Sequence, residues 1–77
     1  MFHTIHAIIR SGEESGFMAE CMELPVITQG ATLDEVMANL REAVSLHFEG
    51  EDLEQLGFAR HPSIIANFEM EPVSTQA

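Results

Sequence analysis

The chain has 77 residues, with 13 acidic side chains against three basic ones and a formal net charge of −10. A chain this short makes one domain and buries only about 60% of the surface its unfolded form exposes. So few cations argue against direct contact with a phosphate backbone, which needs clustered Lys and Arg, and no apolar run approaches the roughly 20 residues that span a bilayer.

Phe2 to Arg10 alternates as a first strand, with Ile5, Ala7 and Ile9 on one face and Phe2, Thr4, His6 and Ile8 on the other. Ser11 to Gly16 is a polar, glycine-bounded loop that suits a hairpin. The second strand, from Phe17 to Met22, puts Phe17, Ala19 and Cys21 on one face and Met18, Glu20 and Met22 on the other. Glu23, Leu24 and Pro25 form a corner, where Pro25, lacking an N–H, ends the pairing. Val26 to Gln29 is a short third strand, and Gly30 breaks the sheet geometry.

Thr32 followed by Glu35 predicts a capping box, in which each side chain satisfies a backbone N–H at the helix start. The helix runs from about Leu33 to Phe48. Leu33, Val36, Met37, Leu40, Ala43, Val44, His47 and Phe48 form its apolar stripe. Asp34, Glu35, Ala38, Asn39, Arg41, Glu42, Ser45 and Glu49 form the opposite face, with Asp34 and Glu35 at the positive end of the helix dipole. Leu46 falls outside the stripe, and Gly50 supplies a left-handed stop. Asp52 to Leu56 is spaced for one more helical turn, with Leu53 and Leu56 folding back on the core. Pro62 precedes the last strand, Ser63 to Met70, with Ile64, Ala66, Phe68 and Met70 on one face and Ile65, Asn67 and Glu69 on the other.

The element order is β-β-β-α-β. This predicts an α+β domain over residues 1–71, a mostly antiparallel four-stranded sheet with one helix on one face, and a frayed tail over 72–77. The face away from the helix is not cleanly polar. Phe2, Ile8, Met18, Met22 and Ile65 lie there with Glu20, and these are the candidate partner-binding residues. Methionine suits an adaptable binding surface, and an open sheet leaves a strand edge to be paired or protected. A homo-oligomer is therefore expected, held by apolar or backbone contacts that strengthen as salt screens the like charges.

By spacing alone no catalytic constellation emerges. Among Glu20, Glu23, Asp34 and Glu35, Glu35 has a capping role, Asp34 serves the helix dipole and Glu20 stands alone on its strand. His3 and His6 point to opposite faces, His47 lies on the helix stripe, and no CxxC pair or phosphate-cradling glycine loop is present. The lone Cys21 reads as a buried inert thiol. No metal or cofactor is expected. The enzymatic alternative is a metal-dependent nuclease using Glu20 and Asp34.

The run Phe17-Met18-Ala19-Glu20-Cys21, then Leu24-Pro25, Val26-Ile27-Thr28-Gln29-Gly30, Thr32-Leu33-Asp34-Glu35 and Arg41-Glu42-Ala43 resembles the HicB-like antitoxin family. The match covers the chain from the first strand to Gly50, with a turn one residue shorter than the usual Leu-Pro-Gly-Cys. The resemblance implies a truncated ribonuclease H-like fold without its activity, homodimers or larger assemblies, and a partner that is a small basic HicA-type RNA-cleaving toxin. The segment Leu46 to Leu53 resembles a short, single-domain branch of that family. The chain ends where many relatives begin a DNA-binding domain, so direct nucleic-acid binding is not expected. An orphan module that self-associates without a toxin is the alternative. With no basic segment ahead of an apolar run, a cytoplasmic, membrane-free protein is expected.

Overall fold

The computed structural model describes residues 2–72, the side chain of Phe2 excepted. The elements are β1 (Phe2–Ser11), β2 (Phe17–Cys21), β3 (Ile27–Gly30), α1 (Leu33–Phe48) and β4 (Phe58–Phe68). They form an α+β domain with a four-stranded sheet in the order β3-β2-β1-β4. β2 runs antiparallel to β1 and to β3, while β4 runs parallel to β1. Parallel neighbours need a crossover, and here α1 carries the chain from β3 at one edge to β4 at the other.

The β1–β2 hairpin closes where Gly12 N–H donates to the Gly16 carbonyl at 2.9 Å. Gly16 takes φ +74°, a left-handed conformation that favours glycine. Pairing of Ile9 with Ala19 and Ala7 with Cys21 stacks small side chains at the sheet centre. Against them α1 lays Val36, Leu40 and Val44, one residue per turn, and Ile5, Leu24, Val26 and Phe58 complete the core. Rings clip the sheet at its two ends: Phe17 and Phe68 lie 5.6 Å apart across β1, and Phe48 and Phe58 lie 5.2 Å apart where α1 hands over to β4.

The start of α1 is fixed three ways. Glu35 N–H donates to Thr32 Oγ1 at 3.1 Å, although the return bond of a full capping box is not formed among the described residues. Asn39, on the polar face by spacing, instead reaches the sheet and donates to the Gln29 carbonyl at 2.8 Å. Gly30 remains within β3, opposite Phe17. It does not break the sheet. It is needed because a Cβ there would come within 2.5 Å of the Val36 backbone nitrogen. Gly50, at φ +77°, stands just past the helix end.

The sequence expectations need further corrections. The helix stripe is narrower than its spacing suggests, since Leu33, Met37 and His47 are exposed. Among the described residues no second helix lies beside α1, so Met37 at the side of the stripe has no neighbour to pack on, and Leu33 and His47 lie in the first and last turns. One helix about 10 Å wide also leaves part of a four-stranded sheet uncovered. For the same reason Ala66, on the helix side of β4, is exposed. Asp52 to Leu56 makes the single expected helical turn, closed by Leu56 N–H to the Asp52 carbonyl at 3.2 Å, and does not extend into a helix. Leu53 packs on the core while Leu56 stays exposed. β4 begins at Phe58, five residues before Ser63, and runs through Pro62. The ladder tolerates this because its register shifts between the pairs Phe2–Phe58 and Thr4–Ser63, so that Pro62 sits in a bulge on an edge strand. The 73–77 part of the expected tail lies outside the described residues. Among the described residues no helix is long and apolar enough to cross a membrane.

Leu40 is 2% exposed at the centre of the helix contact. Leu40→Ala should cost roughly 2–5 kcal/mol, a large share of the roughly 5–15 kcal/mol that holds an ordinary domain together. Thermal melts beside the exposed-site control Ser45→Ala measure this, and equal melting temperatures would contradict the core assignment.

Candidate protein-binding surface

Side chains on the sheet face away from α1 follow directly from the strand registers. One row crosses all four strands as Ile27, Glu20, Ile8 and Asn67. A second holds Gln29, Met18 and Arg10. A third has His6 between Ile65 of β4 and Met22, whose N–H donates to the His6 carbonyl at 2.8 Å. Of the candidate residues, Ile8, Met18, Glu20, Met22 and Ile65 therefore share this face. Phe2 belongs to β1 by its backbone, and its side chain lies outside the described residues.

The face is a mosaic. Ile8 and Glu20 are directly paired, but Glu20 separates Ile8 from Ile27, and His6 separates Met22 from Ile65. Met22 is 66% exposed, Ile27 64% and Ile65 49%. Reversible protein interfaces are about this mixed, little more apolar than the rest of a protein surface. Ile27 was not among the residues singled out by sequence. The period-two alternation of Ile27 and Gln29 against Thr28 would have placed it, had the third strand been read face by face.

Beside Met18 and Gln29 the surface dips between the hairpin loop and the start of α1. Glu13, Glu14 and Glu35 surround this depression, so the mosaic borders a region of negative charge. Arg10, at the other side of Met18, has its Nε buried with no hydrogen-bond partner among the described residues.

The corner after β2 is held by Glu23. One carboxylate oxygen accepts the His6 backbone N–H at 2.7 Å, and the other contacts His6 Nδ1 at 2.7 Å. A carboxylate only accepts, so the imidazole carries its proton on Nδ1 in this pair. β2 ends at Cys21, and Glu23 supplies the acceptor that a longer strand would have offered. Partial burial works to raise the Glu23 pKa, but the bonds from the His6 ring and the His6 N–H outweigh it and the net shift is downward. Cys21, buried under α1, has its thiol pKa raised by that burial and then by the Glu23 charge. This favours the protonated, unreactive thiol.

Among the described residues no group of three or more His, Cys, Asp or Glu side chains could hold a metal ion. Glu20 points away from the helix layer while Asp34 lies in the first turn of α1 on the opposite side of the sheet. His47 is exposed, with its ring edge-on to Phe48 at 5.7 Å.

Glu23→Ala removes both acceptors of the His6 pair and should cost roughly 1–3 kcal/mol at neutral pH. The folded carboxyl lies below its ordinary value of 4.5, so its contribution is present above that value and lost as pH falls through the lower folded one. The difference in melting temperature from wild type should therefore shrink as the pH is lowered below 4.5. A difference that persists at the acid end would assign the effect to packing alone. Compared with family models, curated proteins and solved structures, the chain matches none of them.

Proposed function

We propose that the chain is a non-catalytic protein-binding domain of the HicB-like antitoxin type, acting in the cytoplasm, that binds and blocks a small basic HicA-type RNA-cleaving toxin. The observation that carries this reading is the mosaic of Ile8, Met18, Met22, Ile27 and Ile65 around Glu20, bordered by Glu13, Glu14 and Glu35. The exposed apolar side chains provide desolvated contact. The acidic border and the net charge of −10 favour a cationic partner through long-range attraction and complementary contacts. Phe2 and Glu20 belong to the same proposed interface.

A second reading, a module that self-associates without a toxin, draws its support from β4 as an edge strand of the sheet, with no further strand beside Ile64–Phe68 among the described residues. The two are compatible, because one uses a face and the other an edge. A nuclease built on Glu20 and Asp34 is opposed by their placement on different sides of the sheet.

Co-expression with the product of a small basic reading frame beside the gene tests the leading reading. The chain should relieve the toxin's growth arrest and copurify with it, and Met18→Glu should abolish both while leaving the thermal melt unchanged. The purified chain should not retard duplex DNA at physiological salt. A toxin that remains active beside a folded, expressed chain would overturn the antitoxin reading. Magnesium-dependent RNA cleavage by the chain alone, lost in Glu20→Gln, would replace it with the nuclease.

A further inference from the structure

The sheet has two edges, and they differ. β3 spans only Ile27–Gly30, its Gln29 carbonyl is taken by Asn39 from α1, and the helix start packs on Gly30. β4 is long, and among the described residues no other strand pairs with its outer side over Ile64–Phe68. The bond from Glu69 N–H to the Ile9 carbonyl fixes the phase of the parallel ladder. Ser63, Ile65 and Asn67 turn their backbone groups inward to β1, so Ile64, Ala66 and Phe68 turn theirs outward. The edge is also electrically directional. Arg60 and His61 stand at its start, and Glu69 and Glu71 follow its end.

We propose that β4 pairs antiparallel with β4 of a second copy about a twofold axis at Ile65, joining two sheets into one of eight strands. A parallel approach would set cations against cations and acids against acids. The antiparallel one brings the Arg60 and His61 end of each copy to the Glu69 and Glu71 end of the other. In this register Ile64 and Ala66 exchange both backbone bonds with their counterparts, and the exposed Ile65 meets its own copy as a non-hydrogen-bonded pair. The neighbouring hydrogen-bonding registers set Ile65 against Ser63 or Asn67 instead, and so leave an exposed isoleucine against a polar side chain. Two chains of net charge −10 repel overall, but this edge puts opposite charges together and supplies the backbone bonds that need no charge at all.

The inference does not depend on the antitoxin reading, which uses the sheet face and is judged by copurification. Opposed residues of a non-hydrogen-bonded pair have Cα atoms about 4.5 Å apart, within disulfide reach. Ile65→Cys should therefore form a covalent dimer under oxidised glutathione, each pair of thiols giving up two electrons and two protons to the oxidant. Glu14→Cys, in the hairpin loop, and wild type, with only the buried Cys21, should remain monomers on a non-reducing gel. Ala66→Pro removes an outward N–H that the chain's own sheet does not use. It should convert a sedimenting dimer to a monomer without changing the circular dichroism. Failure of Ile65→Cys to link faster than Glu14→Cys would overturn the proposal, whatever Ala66→Pro does to the fold. So would a wild-type monomer at millimolar concentration, or a dimer dissolved by Met18→Glu and unaffected by Ala66→Pro, which would place the seam on the face.

Discussion

A helix about 10 Å wide laid on four strands spaced about 4.8 Å apart covers little more than half of them. In this chain that mismatch decides what is core and what is surface. α1 lies over Ala7, Ala19 and Cys21, whose small side chains let it approach, and it enters beside Gly30 so closely that even a methyl group would collide with its backbone. Fixing the helix there commits Val36, Leu40 and Val44 to the centre of the sheet. It leaves Met37 at one side, with a groove between Arg41, Met37 and the inner side of β4. An interior this limited leaves the domain dependent on a few contacts made well, because the entropy of ordering the chain is nearly as large as everything that opposes it.

The corner after β2 is one of those contacts. Leu24 and Val26 are buried while Pro25 between them is exposed, so the turn drives two apolar side chains into the core without adding a strand. Such a turn would leave β1 short of an acceptor at His6, since β2 has ended. The Glu23 carboxylate fills that position and takes the imidazole proton as well. A charged acceptor holds an N–H more strongly than a neutral carbonyl does. Its dependence on pH comes from the same source, for only the ionised carboxyl can accept both bonds. His6 lies between Met22 and Ile65, so the pair that secures the corner also sets the spacing of the exposed apolar residues.

The parts of this fold that were legible in the sequence are those where a local pattern and the final packing agree. The alternation of Ile5, Ala7 and Ile9 against Ile8 placed both faces of β1 correctly, as did Ala19 and Cys21 against Met18 and Glu20. Thr32 marked the helix start and Gly50 its end. Where the reading failed, a non-local contact decided the matter. Pro62 reads as a strand boundary only if the strand is interior. At an edge, within a bulge, its missing N–H is tolerated, and β4 extends back to a buried Phe58. Asn39 reads as solvated until β3 proves short enough for its side chain to reach Gln29. The order β3-β2-β1-β4, and with it the identity of the free edge, depends on the crossover and leaves no mark in any one segment. The proposed face was legible as a set of residues, Ile8, Met18, Glu20, Met22 and Ile65. Its interruption by His6 and Arg10 needed the registers.

Charge distributes the remaining surface between two kinds of contact. The chain has three basic residues, all arginines, and they cluster towards the β4 half of the molecule. Arg41 lies in the groove beside Ile64, Arg60 on β4 itself, and Arg10 shares a depression with Glu69 and Glu71. The hairpin and helix-start side, by contrast, gathers Glu13, Glu14 and Glu35 around one depression. A net charge of −10 repels a second copy from every direction, but least where the arginines offset it, along the edge that also offers free backbone groups. The proposed cationic partner would be drawn to the opposite side, where the offset is absent and Met18 and Ile27 adjoin the acids. The same asymmetry therefore separates like from unlike partners. The proposed self-pairing along β4 would leave the acidic border free and would place two such faces on one continuous sheet.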